Sequence, residues 1–509
     1  MNKKTKIILA TFSTIATLSL TSMMLTSCST ANHFVFGNFQ SYMSPNVKNS
    51  LDKQLKNVNW QSFASNNEIP TYLTNKTINA SVASNNMIVK LKDYSMIEKI
   101  DWSLFNLIKT SNPNNPDDYE LVKNSNDLEG VVTDLTFKVA TEGFKEFGID
   151  NLLDYCFPYF LQNFVFVYRG KEIPELSGDN VTFTDIFRII NKDPRFLSNQ
   201  AKPNVLMVKD SRTIYGLSQI LADEQKILNG ENIEVNINPD VGLINDSSKE
   251  SKSIEDLISD YRNVKNAITD KNLKIGLNSD SNVLINKIVL NEVQGAFMYN
   301  GDAVFAGLGG DYGGSYYNNQ YVDYPDIDNF HVVVPKNTLI ALDGIVLNKE
   351  NNQTQKEESL KIAYDLTISG ANIEKFNEWN TPLDFTNEEI EQLDPRNLNI
   401  LDKNDDDSYT YLVTENFDYI NYTPTLQKLY DSVTNINGNN YFLDYLCSLR
   451  GIKIEDSNNE LKELANLLSK VLAIQVPNKI SNVLEMPLNK LTDSNMQIAF
   501  TVLVNEIPG

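Results

Sequence analysis

Phe34-Val35-Phe36-Gly37-Asn38-Phe39-Gln40-Ser41-Tyr42-Met43-Ser44-Pro45 reads as a buried strand, a polar turn and the start of a helix. Phe34 to Phe36 is a short apolar run that Gly37 is expected to end. Ser44 followed by Pro45 suits an N-cap and first helical position, and Val47, Leu51 and Leu55 then fall on one helical face. Working outward, Val58 to Phe63 is a second strand leading into a polar helix, and Ile78 to Ala83 is a third, ending at Ser84-Asn85-Asn86 before a helix from about Met87. Strands alternating with helices predict an α/β sheet, in which ligands sit at the carboxyl ends of strands. The turns 38–42 and 84–86 occupy such ends.

Further along, Phe164 to Tyr168 and Val205 to Val208 are strand candidates, and Asp210 to Leu217 begins a helix directly after the second. Gln294 to Met298, His331 to Val334 and Ile340 to Leu347 are further strands, Asn348 to Gln355 a polar linker, and the last 80 or so residues mainly helical, as in Leu461 to Leu472. Two patterns are weaker than they look. Asp402 to Asp407 alternates Asp and Asn, but a calcium loop would need Gly in place of Asp407 and Glu in place of Val413. Gly307 to Gly314 is glycine-rich without GxGxxG spacing, so a surface turn is the better reading than a phosphate cradle.

Upstream of the first strand, Lys3, Lys4 and Lys6 precede an acid-free apolar stretch from Ile7 to Met24 that stops at Leu25-Thr26-Ser27-Cys28. This resembles the bacterial lipoprotein signal, in which the cysteine is acylated and becomes the first mature residue. Residues 1–27 are then signal peptide and 28–33 a lipidated tether, placing the protein on the outer face of the cell membrane. Roughly 480 residues remain, more than one compact core accommodates. Loss of three lysines and no acid leaves the mature chain three charges more negative than the formal −22. Such a surface disfavours nucleic acid and anionic headgroups. Cys156 and Cys447 are too few for a disulfide-rich framework; a single bridge between them is open, and two buried free thiols is the better reading. With only His33 and His331, zinc sites and Ser-His-Asp chemistry are disfavoured; no metal, cofactor or catalytic residue is expected.

The segment Gly37-Asn38-Phe39-Gln40-Ser41-Tyr42 resembles the NWxEY segment of the spermidine/putrescine-binding proteins of bacterial ABC transporters. Ser84 with Met96-Ile97-Glu98-Lys99-Ile100-Asp101 is similar to that family's serine loop and MIxKID stretch, and Phe183-Thr184-Asp185-Ile186-Phe187 to its WADLW. Val208-Lys209-Asp210-Ser211-Arg212 resembles its DDAR turn, Phe297-Met298-Tyr299-Asn300-Gly301 its MIWNG, Leu342-Asp343-Gly344 its MDS, and Asn421-Tyr422-Thr423-Pro424 its GYPTP. The matches keep the family's order over residues 34 to 426. The resemblance implies a periplasmic-binding-protein fold: two α/β lobes joined by a hinge, with a ligand cleft between them. The lobes would be 34–158 plus 344–509 and 159–343, with the chain crossing near Tyr159 to Tyr168 and near Asp343 to Asn348. The extra length near 348–411 and after Tyr430 has no assigned role.

A polyamine needs carboxylates at intervals and aromatic faces between them. By the resemblance Phe39, Tyr42, Tyr299 and Tyr422 are the aromatic walls, Asp210 and Asp343 the anchors, and Ser84 and Ser41 neutral hydrogen-bonding groups. The family's two glutamates are here Ser41 and Thr213, and a family tryptophan is Ala341. Two carboxylates suit a diamine, whereas a triamine would bury an unpaired charge. Each residue also has a plainer role: Asp210 as an N-cap, Asp343 as a strand end, Tyr299 and Phe39 as core aromatics. The expected function is a monomeric, non-enzymatic, lipid-anchored receptor that delivers putrescine, spermidine or another cationic solute to ABC permease subunits. A surface adhesin or antigen and a two-carboxylate glycosidase are the rivals.

Overall fold

Phe157–Arg169 is a strand of 13 residues in which all but the last and Gln162 are buried. At about 3.3 Å per residue it spans some 40 Å, long enough to belong to two groups of strands at once. The computed structural model describes residues 34–55, 58–63, 65–105, 107–110, 119–198, 202–230, 252–369, 401–403, 409–437, 440–474, 483–484 and 490–507. The signal, Cys28 and the tether lie outside these residues, as do residues 404–407 of the alternating Asp and Asn pattern.

The main sheet has eleven strands: β1 (Phe34–Phe39), β2 (Val58–Phe63), β3 (Ala80–Ser84), β4 (Phe157–Arg169), β5 (Val205–Val208), β6 (Ile275–Asn278), β7 (Gly295–Tyr299), β8 (Phe330–Val333), β9 (Leu339–Leu347), β10 (Thr423–Pro424) and β11 (Val483–Leu484). Their order is β2-β1-β3-β9-β4-β7-β5-β6, with β8 and β10 beside β4 and β11 beside β9. β2, β1 and β3 are parallel to one another, and so are β7, β5 and β6. Between these groups, β4 and β9 run antiparallel. β4 pairs with β9 along Phe157–Asn163 and with β7 along Phe164–Tyr168, so it carries the chain from one group to the other. Two helix-flanked parallel groups joined by crossing strands make this an α/β fold of the periplasmic-binding-protein type, as expected.

Local chemistry explains the helix starts. Thr182 with Asp185, Ser253 with Asp256, and Asn352 with Gln355 each form a capping box that satisfies otherwise orphaned N–H groups. The last of these corrects the polar-linker reading of 348–355: Asn352 is an N-cap, and Gln353–Thr367 is a helix. β1 runs on through Gly37 to Phe39, because Gly37 pairs with Gln61 and Ser81 on its two sides, where an added Cβ would meet Ser81 Oγ at 2.9 Å. Around β4, Phe166 and Phe187 each pack on Phe297 at 4.7 and 5.2 Å between ring centres. Cys156 and Cys447 are buried and free.

Part of the C-terminal region packs against elements within residues 159–343. Helix Lys490–Glu506 packs on helix Ile254–Ala267 through Phe500 against Tyr261 at 5.7 Å, with Met496, Ala499 and Leu503 buried. Glu506 bridges Arg262 and Lys265, both at 3.0 Å. Upstream, Arg450 lies 4.7 Å over the Tyr324 ring and donates to the Pro325 carbonyl. The apolar faces of these added helices find their complements on elements within 159–343, and this packing, not chain position, sets where they lie. Among the described residues no helix is long and apolar enough to cross a membrane.

Candidate functional site

Six of the eight expected site residues sit at or just beyond the carboxyl ends of parallel strands: Phe39 closing β1 with Ser41 and Tyr42 after it, Ser84 closing β3, Asp210 after β5 and Tyr299 closing β7. Asp343 lies within β9, opposite Ser84 of β3 and Phe160 of β4. The register between β9 and β4 shifts at Asp343/Gly344, a bulge that redirects the carboxylate. An added Cβ on Gly344 would lie 2.7 Å from Cys156 Sγ and 3.1 Å from the Phe157 carbonyl, so this close strand approach needs glycine.

Asp343 is 1% exposed. Its Oδ2 accepts from the Tyr42 hydroxyl at 2.8 Å and from Gln162 Nε2, while no hydrogen bond of regular geometry reaches Oδ1. Burial pushes the carboxyl upward, partly offset by donation from Ser84, Tyr42 and Gln162. Ser84 Oγ also accepts from Asn66 Nδ2 at 3.0 Å, which fixes it across the β3–β9 pair.

Tyr42 is held at both ends. Its carbonyl accepts from Asn38 Nδ2 at 2.8 Å and from the Tyr159 hydroxyl at 2.9 Å, and its hydroxyl accepts from Gln162 Nε2 at 3.0 Å. Rings surround it: Tyr159 at 5.4 Å, Tyr422 at 5.5 Å, Phe39 at 6.0 Å and Phe160 at 6.2 Å, most of them edge-on. Burial, reinforced by Asp343, holds the Tyr42 phenol well above its ordinary range, so it remains a donor. Phe39 also packs edge-on against Phe63 at 4.9 Å. Ser41 is exposed at φ +57°; its job is the left-handed turn that brings Tyr42 inward.

Tyr422 donates to Asp302 Oδ1 at 2.8 Å, and Ser281 donates to Asp302 Oδ2 at 2.8 Å. Asp302 is buried, and desolvation pushes its carboxyl up to about 6 despite these donors and a backbone bond from Tyr299. Tyr422 lies flat on Gly301, where an added Cβ would meet ring carbons at 2.5 Å. Tyr299 packs edge-on against Phe164 at 5.8 Å and shares a hydrogen bond with Thr213 Oγ1.

Asp210 is, as its plainer reading has it, the N-cap of helix Ser211–Leu228: Oδ1 accepts from Arg212 N at 3.0 Å, Thr213 N at 2.8 Å and Thr213 Oγ1 at 2.9 Å. One oxygen is thus committed to the helix. Tyr42, Ser84, Asp343 and Tyr422 are joined by contacts, and Tyr299 reaches Asp210 through Thr213. Sequence reasoning did not single out Gln162, Tyr159 or Asp302. Their signals were present: Gln162-Asn163 is a polar pair inside an apolar strand, and Asp302 directly follows Asn300-Gly301.

Asp302 gives the site a pH signature. Folded, it keeps its proton to about 6 against 3.8 for an unperturbed aspartate, so the folded chain binds the extra proton between those values. Stability should therefore fall as pH rises through that window, by up to about 3 kcal/mol, and stay level above it for this group. Thermal midpoints of the ligand-free protein from pH 4 to pH 7, wild type against Asp302→Asn, check this; the variant should show the shallower decline, and parallel curves would contradict it.

No curated protein matches the sequence. Among solved structures, the chain is similar to a putative spermidine/putrescine ABC transporter from Listeria monocytogenes, at 13% identity and TM-score 0.49 over 93% of this chain and 99% of that one. It is similar to the spermidine/putrescine ABC transporter substrate-binding protein PotD from Streptococcus pneumoniae, at 12% and 0.45 over 93% and 100%. It is also similar to an ABC transporter solute-binding protein from Thermotoga lettingae bound with α-D-tagatose, at 10% and 0.45 over 94% and 99%. A family model described as hypothetical lipoprotein (MG045 family) matches residues 1–453, and the chain belongs to that family.

Proposed function

We propose that the protein is an extracytoplasmic, lipid-anchored solute-binding protein that captures a diamine of the putrescine class and presents it to ABC permease subunits. The observation that carries this reading is Asp343 Oδ1, a buried carboxylate oxygen without a regular hydrogen bond, beside the Tyr42 hydroxyl and within reach of the ring cluster around it. A buried carboxylate is costly unless paired. An ammonium would satisfy it through a charge-assisted bond, and neighbouring ring faces would add about 0.5–2 kcal/mol each by attracting the cation and covering methylenes. β4 and β9 offer the natural axis about which two lobes, 34–158 and 159–343, would close on the ligand. None of these side chains is arranged for bond-making on a substrate, so binding without transformation is the function that fits.

Ligand size follows from what Asp210, Ser41 and Thr213 do. Asp210 spends one oxygen on its helix, Ser41 is exposed, and Thr213 is neutral. A second ammonium can use the remaining Asp210 oxygen, but a third would lack a partner at a cost of several kcal/mol. Isothermal calorimetry with putrescine and spermidine tests this. Putrescine should bind the more tightly, and Asp343→Asn, which keeps the shape and removes the charge, should weaken it at least 30-fold, the scale of about 2 kcal/mol or more for losing a buried charge partner. Unchanged affinity in a folded Asp343→Asn protein would refute the site.

The anchor rests on Leu25-Thr26-Ser27-Cys28. In a bacterial host, labelled palmitate should enter the wild-type chain and not Cys28→Ser, and the variant should keep its apolar N-terminal stretch. Labelling of both would place the acyl group elsewhere.

A further inference from the structure

Resting on that reading of the site, we infer that the Gln162 side-chain amide is a resident stand-in for the ligand's ammonium, a specificity-determining group that a bound cation must displace from Asp343. Gln162 lies in the middle of β4, the strand shared by both strand groups, and reaches Asp343 across the strand pair. Its Nε2 donates to Asp343 Oδ2 and, at 3.0 Å, to the Tyr42 hydroxyl. The first of these belongs to the same carboxylate as Oδ1, which has no regular hydrogen bond, and an ammonium seated on Asp343 would need the same region.

The chemistry makes the amide a suitable placeholder. It offers the N–H donors of an ammonium without the charge, so it quiets the buried carboxylate while leaving it unneutralised. Gln162 is half-buried, whereas Asp343 and Tyr42 are buried at 1% and 7% exposure. Of the three, Gln162 is the one most open to solvent. A neutral hydroxylated solute offers donors no better than the amide and gains little by displacing it. A cation gains a charge-assisted bond, about twice as strong as a neutral one. Gln162 thus sets a threshold that charged donors cross and neutral ones do not. The polar pair Gln162-Asn163 in an otherwise apolar strand is accounted for, at least at its first member, by this role.

Two substitutions test it in opposite directions. Gln162→Ala removes the competing donor and should bind putrescine about tenfold more tightly than wild type. Gln162→Lys tethers an ammonium at the same reach and should abolish putrescine binding while raising the thermal midpoint of the ligand-free protein. Calorimetry with putrescine, and melting curves to establish folding, are read for all three proteins. If wild type binds putrescine and Gln162→Ala binds equally or more weakly, Gln162 is a passive or direct contact and the inference is overturned, with the functional reading intact. If Gln162→Lys is folded and binds as wild type, the inference is likewise overturned. If neither wild type nor Gln162→Ala binds the diamine, the functional reading fails and takes this inference with it.

Discussion

Everything in the site hangs from the antiparallel pairing of β4 with β9. That ladder carries the chain between the two parallel strand groups, and its register shift at Asp343/Gly344 leaves a carboxylate buried beside a tyrosine that comes from a turn 301 residues away in sequence. The close approach of Gly344 to Cys156 and Phe157 holds the bulge in place. Tyr42, in turn, is fixed by Asn38 and Tyr159 before its hydroxyl reaches Asp343. The site is therefore a consequence of strand pairing, with the loops supplying only the inward turn at Ser41.

Burial sets the electrostatic character. Asp343 and Asp302 are both desolvated, both bonded to tyrosine hydroxyls, and both raised above the usual carboxylate range. They differ in completeness. Asp302 has a donor for each oxygen and serves to hold Tyr422, while Asp343 Oδ1 has no donor at regular hydrogen-bond geometry. An acid with an open oxygen keeps the capacity to accept a further donor.

Much of the fold was legible in the chain: Val205–Val208 is a short apolar run with clear ends, Val58–Phe63 sets Val58, Trp60 and Phe63 among polar residues, both fall where the sequence puts them, and Asp210 takes the N-cap of its plainer reading. β4 was only half visible, since Phe157 to Asn163 contains Pro158, Gln162 and Asn163 and lacks the uniform apolarity of Phe164 to Tyr168. The helix after Asn352 was hidden by its polar first turn, which is what a capping box looks like in sequence. In the site, residues resembling family motifs were found by their order, but the environment of each was not. Sequence order could not reveal that Thr213 ties Asp210 to its helix, that Ser41 faces outward, or that Gln162 bonds Asp343, because these depend on register and side-chain reach. The same holds for the C-terminal helix: the helical character of the last residues was legible, the partner it packs on was not.

The central claim is that Asp343 Oδ1 is the acceptor for a ligand ammonium. A crystal structure of the protein with putrescine tests it most directly. The account calls for one ammonium within hydrogen-bond distance of Oδ1, the methylenes against the Tyr42 and Tyr422 rings, and the Gln162 amide moved off the carboxylate. A diamine bound elsewhere, or a site in which Gln162 still covers Asp343 with the ligand present, would contradict it.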